Sequence, residues 1–283
     1  GQIETIKPIT KHQKLILDPV EIPEAVHEAF EQLQTGRPRP VQIEIPPETL
    51  SDTADIELLE AGKYERPVAS KESVSRGIDL ISNAKNPLIW AGGGVISGEA
   101  SKELTSLAEF LQAPVIATGE GRGAISDRSY LSIGSFRFKN DTFFENKIQD
   151  YDLVVAVGTR LLNNQQLTGQ KVLQIDIDDE EIGRNYDNTE GINGDAKKTL
   201  KEILKGLKNV MPPRESREEE LTNLKAERFN PGTVIEPQES FTKVIRSVMP
   251  DDGIFISGMT QIGYYSRNKF EVYEPRTYIT SSY

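Results

Sequence analysis

The residues with the most chemical promise in this chain sit at the ends of apolar runs. Gly92-Gly93-Gly94 directly follows Leu88-Ile89-Trp90-Ala91 and precedes a helical pattern. Small residues there let backbone amides approach a phosphate at the positive end of a helix. The spacing departs from G-x-G-x-x-G, because Ser97 stands in the last glycine's place and Gly98 follows. A tight strand-to-helix turn with no ligand uses the same residues, and the sequence leaves both readings open. Asp176 and Asp178 alternate along the end of another run. One carboxylate there can accept hydrogen bonds from a ribose or adenine group, and the pair can equally cap a helix. Arg160 follows Gly158-Thr159. Its guanidinium fork suits a diphosphate, or a surface carboxylate. Glu44 falls on the polar face of the alternating stretch Val41-Gln42-Ile43-Glu44-Ile45, and His12 and His27 have no partner pattern, so all three are read as non-catalytic surface residues.

Composition removes several classes of chemistry. The 283 residues include no cysteine, which rules out disulfides, thiolate nucleophiles and iron–sulfur ligation. Two histidines give poor support for a His-rich zinc site or a Ser-His-Asp hydrolase. The formal charge of −11 disfavours general binding to nucleic acid. No apolar run reaches the ~18 residues of a membrane span, and Gly1-Gln2-Ile3-Glu4 does not open a signal peptide. With no cysteine to place in an oxidising compartment, the expected location is cytoplasmic.

The elements that must position these residues read as follows. Ala25, Ala29, Phe30 and Leu33 predict a helix over 23–35, and 41–45 alternates as a strand before Pro46-Pro47. Helices are expected over 71–83, 98–111 and from Asp195 through the stripe Ala196, Leu200, Ile203, Leu204 and Leu207. Strands are expected over 88–91, 114–117, 153–157 and 172–177, with an acidic helix start at Asp178-Asp179-Glu180-Glu181. The run Leu153-Val154-Val155-Ala156-Val157 is apolar throughout, as in a strand buried on both faces. Strand, glycine-rich turn and helix, repeated, predict an α/β fold: a doubly wound parallel sheet with its ligand site at the C-terminal edge.

After this sheet, 212–230 is charged and lacks a wide apolar stripe. A helix over 237–248, a strand over 253–257, a helix starting near Ile262 and a strand over 276–283 then suggest the opening of another α/β domain. The expected division is 1–50, the end of one domain; 51–69, a linker; 70–210, the central Rossmann-like domain; 211–236, a charged linker; and 237–283, the truncated start of a third domain. A chain opening on Gly and closing on a strand reads as a piece of a longer polypeptide.

These pieces, in this order, resemble the thiamine-diphosphate enzymes of the acetolactate synthase and benzoylformate decarboxylase type. The resemblance runs along nearly the whole chain. It is carried by Gly36-Arg37-Pro38-Arg39-Pro40-Val41-Gln42-Ile43-Glu44-Ile45-Pro46, Asn86-Pro87-Leu88-Ile89-Trp90-Ala91-Gly92-Gly93-Gly94-Val95, Ala113-Pro114-Val115-Ile116-Ala117-Thr118 and Gly121-Arg122-Gly123-Ala124-Ile125. The most specific stretches are Asp152-Leu153-Val154-Val155-Ala156-Val157-Gly158-Thr159-Arg160 and Ile175-Asp176-Ile177-Asp178-Asp179-Glu180-Glu181-Ile182-Gly183-Arg184-Asn185, followed by Gly194-Asp195-Ala196.

The resemblance implies a lyase or transferase that uses thiamine diphosphate and magnesium to decarboxylate or join 2-keto acids. The cofactor would lie between the first and third domains of two subunits in a homodimer or homotetramer. Thr260 and Gln261 match the pair that approaches thiamine diphosphate. Gly92, Gly93, Gly94, Thr118, Arg160, Asp176 and Asp178 match the nucleotide-side positions of relatives that bind FAD. The chain departs from those relatives at Gly119-Glu120, where they have Leu-Met, and at Ser135-Phe136, where they have Met-His. Glu120 would bring negative charge toward a diphosphate, which disfavours FAD and leaves an ADP-like nucleotide or an empty crevice as the expectation. The activating glutamate and the Gly-Asp-Gly metal motif belong to parts of the family outside these residues. No catalytic residue or metal ligand is therefore expected in the segment, and the segment alone is expected to be inactive. The alternative is a stand-alone adenine-nucleotide-binding or structural module.

Overall fold

The computed structural model describes residues 1–136, 142–162, 167–229, 232 and 234–280. Residues 281–283 of the expected final strand lie outside them. The chain divides into two compact units, Gly1–Pro67 and Val68–Tyr283.

The first unit is α1 (Gln2–Ile6), β1 (His12–Leu15), α2 (Ile22–Gln34), β2 (Val41–Glu44) and α3 (Pro47–Ser51). β1 and β2 pair in parallel. β1 escapes sequence reading because His12-Gln13-Lys14 carries no apolar run. It places His12 half-buried with Nε2 3.8 Å from Glu28, rather than free on the surface. Ala25 and Ala29 of α2 are buried, while Phe30 is exposed.

The second unit contains α4 (Lys71–Asn83), β3 (Pro87–Ala91), α5 (Gly93–Ser97), α6 (Ser101–Leu111), β4 (Val115–Ala117), β5 (Ser132–Ser135), α7 (Thr142–Lys147), β6 (Leu153–Val157), β7 (Lys171–Asp176), β8 (Thr189–Asn193) and α8 (Ala196–Val210). It continues through α9 (Glu218–Arg228), α10 (Gln238–Val248), β9 (Phe255–Ser257), α11 (Gln261–Lys269) and β10 (Tyr278–Thr280).

Six of these strands form one parallel sheet in the order β5-β4-β3-β6-β7-β8. Counted from the sheet's own first strand this is 3-2-1-4-5-6, the doubly wound order whose switch point lies between β3 and β6. Ile89 pairs with both Val115 and Val155, and Val155 pairs with Leu173. Every residue of β3 and β6 is buried, which explains their unbroken apolar runs. Ile81, Leu104, Leu107, Leu111, Leu200, Ile203 and Leu207 close one face. On the other face Trp90 stacks on Phe136 at 4.4 Å between ring centroids, with Phe144 edge-on to both.

Three expectations are corrected. The helix expected over 98–111 begins only at Ser101, as α6, after a break at Gly98-Glu99 where Glu99 takes φ +54°, and a separate short helix, α5, precedes the break. The acidic stretch at Asp178 makes only a single 3-10 turn over Asp179–Glu181, and the chain then reverses at Gly183, φ +71°. The apolar stripe of α10 is not core: Phe241, Val244 and Val248 are exposed, and Ile245 alone of the four packs on Phe270, Val272 and Tyr278.

β9 and β10 form a second, two-stranded parallel sheet. It joins the central domain through a buried polar hub. Arg122, 5% exposed, donates to the backbone carbonyls of Ser266, Arg267 and Phe270 at the end of α11. It also pairs with Asp127 at 3.3 Å and lies over the Tyr278 ring. Asp127 in turn accepts from Ser132 Oγ at 2.7 Å and from the Val272 amide at 2.9 Å. Lys225 of α9 donates to the Asp127 and Ser129 carbonyls, so α9 is tied to this hub and not a solvated linker helix.

Candidate functional site: the switch-point crevice and the α11 terminus

Two places gather the residues singled out from sequence, and they differ in what they offer a ligand.

The first is the C-terminal edge of β3, β4 and β6. Gly92-Gly93-Gly94, Thr118 and Gly158 meet there, and Asp176 ends β7 beside them. The three turns press against one another. The Gly92 amide donates to the Val157 carbonyl at 2.9 Å, and the Gly94 amide to the Gly158 carbonyl at 3.0 Å. A Cβ on Gly94 would lie 2.5 Å from Gly158 Cα, and one on Gly121 would lie 2.9 Å from the Ala91 carbonyl carbon. Thr118 Oγ1 accepts from the Gly121 amide at 3.1 Å and caps the 3-10 turn Gly119–Gly121. Asp176, 5% exposed, accepts from the Asp178 amide at 3.0 Å. Arg160 is exposed, and its carbonyl accepts from Asn185 Nδ2 at 2.7 Å.

Glu120 covers Gly93: a Cβ built on Gly93 would be 3.0 Å from Glu120 Cβ. Burial pushes the Glu120 carboxyl above the ordinary carboxylate range, and the Arg267 charge only partly opposes this. The sign follows directly. A carboxyl with a raised native pKa binds its proton more tightly in the folded state, so stability falls as pH rises through that range. Glu120→Gln is therefore expected to melt above wild type at pH 8, with the gap closing toward pH 4. Thermal midpoints across that range test it, and a variant that melts below wild type at pH 8 refutes it.

The second place is the start of α11, after the C-terminal end of β9. Thr260 is its N-cap, with Oγ1 accepting from the Gly263 amide at 3.1 Å. Gln261 accepts from Gln238 Nε2 at 2.8 Å. Both residues are exposed, and a Cβ on Gly258 would meet nothing within 4 Å. An exposed helix N-terminus at a parallel strand's carboxyl end suits an anionic group. Thr260→Ala is expected to cost about 1 kcal/mol through loss of the cap, read as a lowered urea midpoint. Sequence reasoning missed Arg122 and Asp127, which set the position of α11. Nothing marked them except the glycines on either side of Arg122.

By fold and strand order, the central sheet is a Rossmann-like domain. Residues 74–203 match the family described as thiamine pyrophosphate enzyme, central domain. The chain is 29% identical to the acetolactate synthase large subunit of Corynebacterium glutamicum, over 97% of this chain and 46% of the relative. It is 34% identical to an acetolactate synthase of Arthrospira platensis, over 70% of this chain and 37% of that protein. It is 31% identical to a protein of Rhizobium meliloti described as a probable sulfoacetaldehyde acetyltransferase, over 73% of this chain and 35% of that one. Residues 74–203 carry the central domain of thiamine-diphosphate enzymes, and the chain is similar to those of the acetolactate synthase type. It spans less than half the length of these relatives. Among the described residues no helix is long and apolar enough to cross a membrane, and no group of three or more His, Cys, Asp or Glu residues is placed to hold a metal ion.

Proposed function

We propose that this chain supplies the central domain and the start of the diphosphate-side domain of an enzyme that acts on 2-keto acids with thiamine diphosphate and magnesium. The observation that carries this reading is the match of 74–203, joined in one compact unit to an exposed helix terminus at Thr260-Gln261. When bound, the cofactor supplies a carbon nucleophile that lets a 2-keto acid lose carbon dioxide and its remainder be passed on or protonated.

The chain's own residues do simpler work. The N-terminus of α11 orients the diphosphate end through its positive pole. Thr260 fixes the first turn, and Gln261, braced by Gln238, presents an amide beside it. Arg122 anchors the other end of the same helix to the central sheet. The substrate class follows from relatives described as acetolactate synthases. The acetyltransferase among them leaves the acceptor to experiment. Assembly is proposed as at least a homodimer, with activity in the cytoplasm.

The test compares the full-length gene product with residues 1–283, assaying carbon dioxide release from pyruvate and other 2-keto acids with thiamine diphosphate and magnesium. Turnover by the full-length product and none by 1–283 is the expected result. A full-length product that neither binds thiamine diphosphate nor releases carbon dioxide overturns the reading.

A further inference from the structure

Some members of the family carry FAD or another adenine nucleotide in the central domain, so whether this crevice accepts one is a question of fit. A dinucleotide held at a Rossmann switch point needs backbone amides aimed at its diphosphate, glycines that admit it, and no opposing charge. Three observations stand against these requirements here. Two amides of the triplet, those of Gly92 and Gly94, already donate to the Val157 and Gly158 carbonyls. The glycines admit neighbouring backbone: a Cβ on Gly92 would lie 2.8 Å from the Gly158 carbonyl carbon, and one on Gly158 would lie 2.7 Å from the Gly94 carbonyl carbon. The helix that follows, α5, has only five residues, a short source of positive end charge.

The turn after β4 adds the third obstacle. Glu120, an acidic residue, stands beside Gly93, its Cβ 3.0 Å from where a Gly93 Cβ would lie. The turn also has another task. Thr118 caps it. Its Gly121 packs on Ala91. Arg122, the next residue, is buried against the α11 carbonyls and Asp127. The turn is therefore fixed at both ends.

We infer that the switch-point crevice of this protein holds no adenine nucleotide by its diphosphate, because the turns after β3, β4 and β6 are packed and hydrogen-bonded to one another and the acidic Glu120 stands beside Gly93. The glycine triplet is then a packing device, and the tie from β4 to α11 stands where a nucleotide would otherwise brace the two segments. This does not rest on the thiamine reading. Turnover of 2-keto acids with thiamine diphosphate would leave it standing, and failure of that turnover would not harm it.

The test uses the 283-residue chain, first shown to melt cooperatively. FAD and ADP are titrated separately by calorimetry, with the emission of Trp90 as a second readout. Trp90 is the only tryptophan and lies two residues before Gly92. The expected result is no saturable heat and no saturable change in emission up to ~1 mM nucleotide, the weak end of small-ligand binding. A one-to-one isotherm with either nucleotide in that range, or flavin that co-purifies in stoichiometric amount, overturns the inference.

Discussion

Arg122→Met is expected to lower the unfolding free energy of the second unit by about 3–5 kcal/mol, the cost of breaking a buried ion pair from one side. The guanidinium is 5% exposed and serves four acceptors: Asp127 and the carbonyls of Ser266, Arg267 and Phe270. Methionine fills much of the volume but leaves the Asp127 carboxylate without its charge partner. Asp127 keeps the Ser132 hydroxyl and the Val272 amide, so the loss should fall short of the largest values for buried ion pairs. Arg122→Lys preserves charge but not the planar fork. An ammonium is a point charge with three donors, and it is expected to recover less than half of the loss. Urea unfolding followed by Trp90 emission measures both. Amide exchange should show Gln261–Lys269 losing protection before β3 and β6. A Met variant within about 0.5 kcal/mol of wild type, the ordinary range for surface substitutions, would show that the hub contributes little.

The same hub shows where sequence reading stops. β3 and β6 were legible because burial on both faces writes itself as an apolar run, and β7 because Val172, Leu173 and Ile175 hold enough of one around the buried Gln174. β5 and β8 were not: Ser132-Ile133-Gly134-Ser135 and Thr189-Glu190-Gly191-Ile192-Asn193 are edge strands, short and partly polar, and they resemble loops until a neighbour pairs with them. Of the nucleotide-side positions, the structure places Gly92, Gly93, Gly94 and Thr118 at one sheet edge with Asp176 at the end of β7, while Arg160 is exposed. Their donors and acceptors were not legible, because they depend on how closely separate turns approach. Arg122 was marked only by its flanking glycines, since three of its four acceptors lie 144 to 148 residues further along the chain. Long-range polar contacts have no period for a sequence to show.

Gly158→Ala is expected to be the most damaging single methyl addition in the sheet, costing more than ~4 kcal/mol. Two effects combine. Gly158 sits at φ +60°, where an L side chain costs about 1–2 kcal/mol. Its Cβ would also lie 2.9 Å from the Gly94 nitrogen and 2.7 Å from the Gly94 carbonyl carbon, which are main-chain atoms unable to rotate away. Gly183→Ala separates the two. It has φ +71° and nothing within 4 Å of the added carbon, so it carries the backbone strain alone, about 1–2 kcal/mol. Unfolding free energies of the two variants, from urea melts, should therefore differ by more than ~2 kcal/mol, a difference attributable to the close approach of the turns after β3 and β6. If Gly158→Ala costs no more than Gly183→Ala, those turns stand apart in solution. The Gly92 and Gly94 amides would then be able to face a diphosphate, and the case for a closed crevice would fail on its own geometry, before any nucleotide is added.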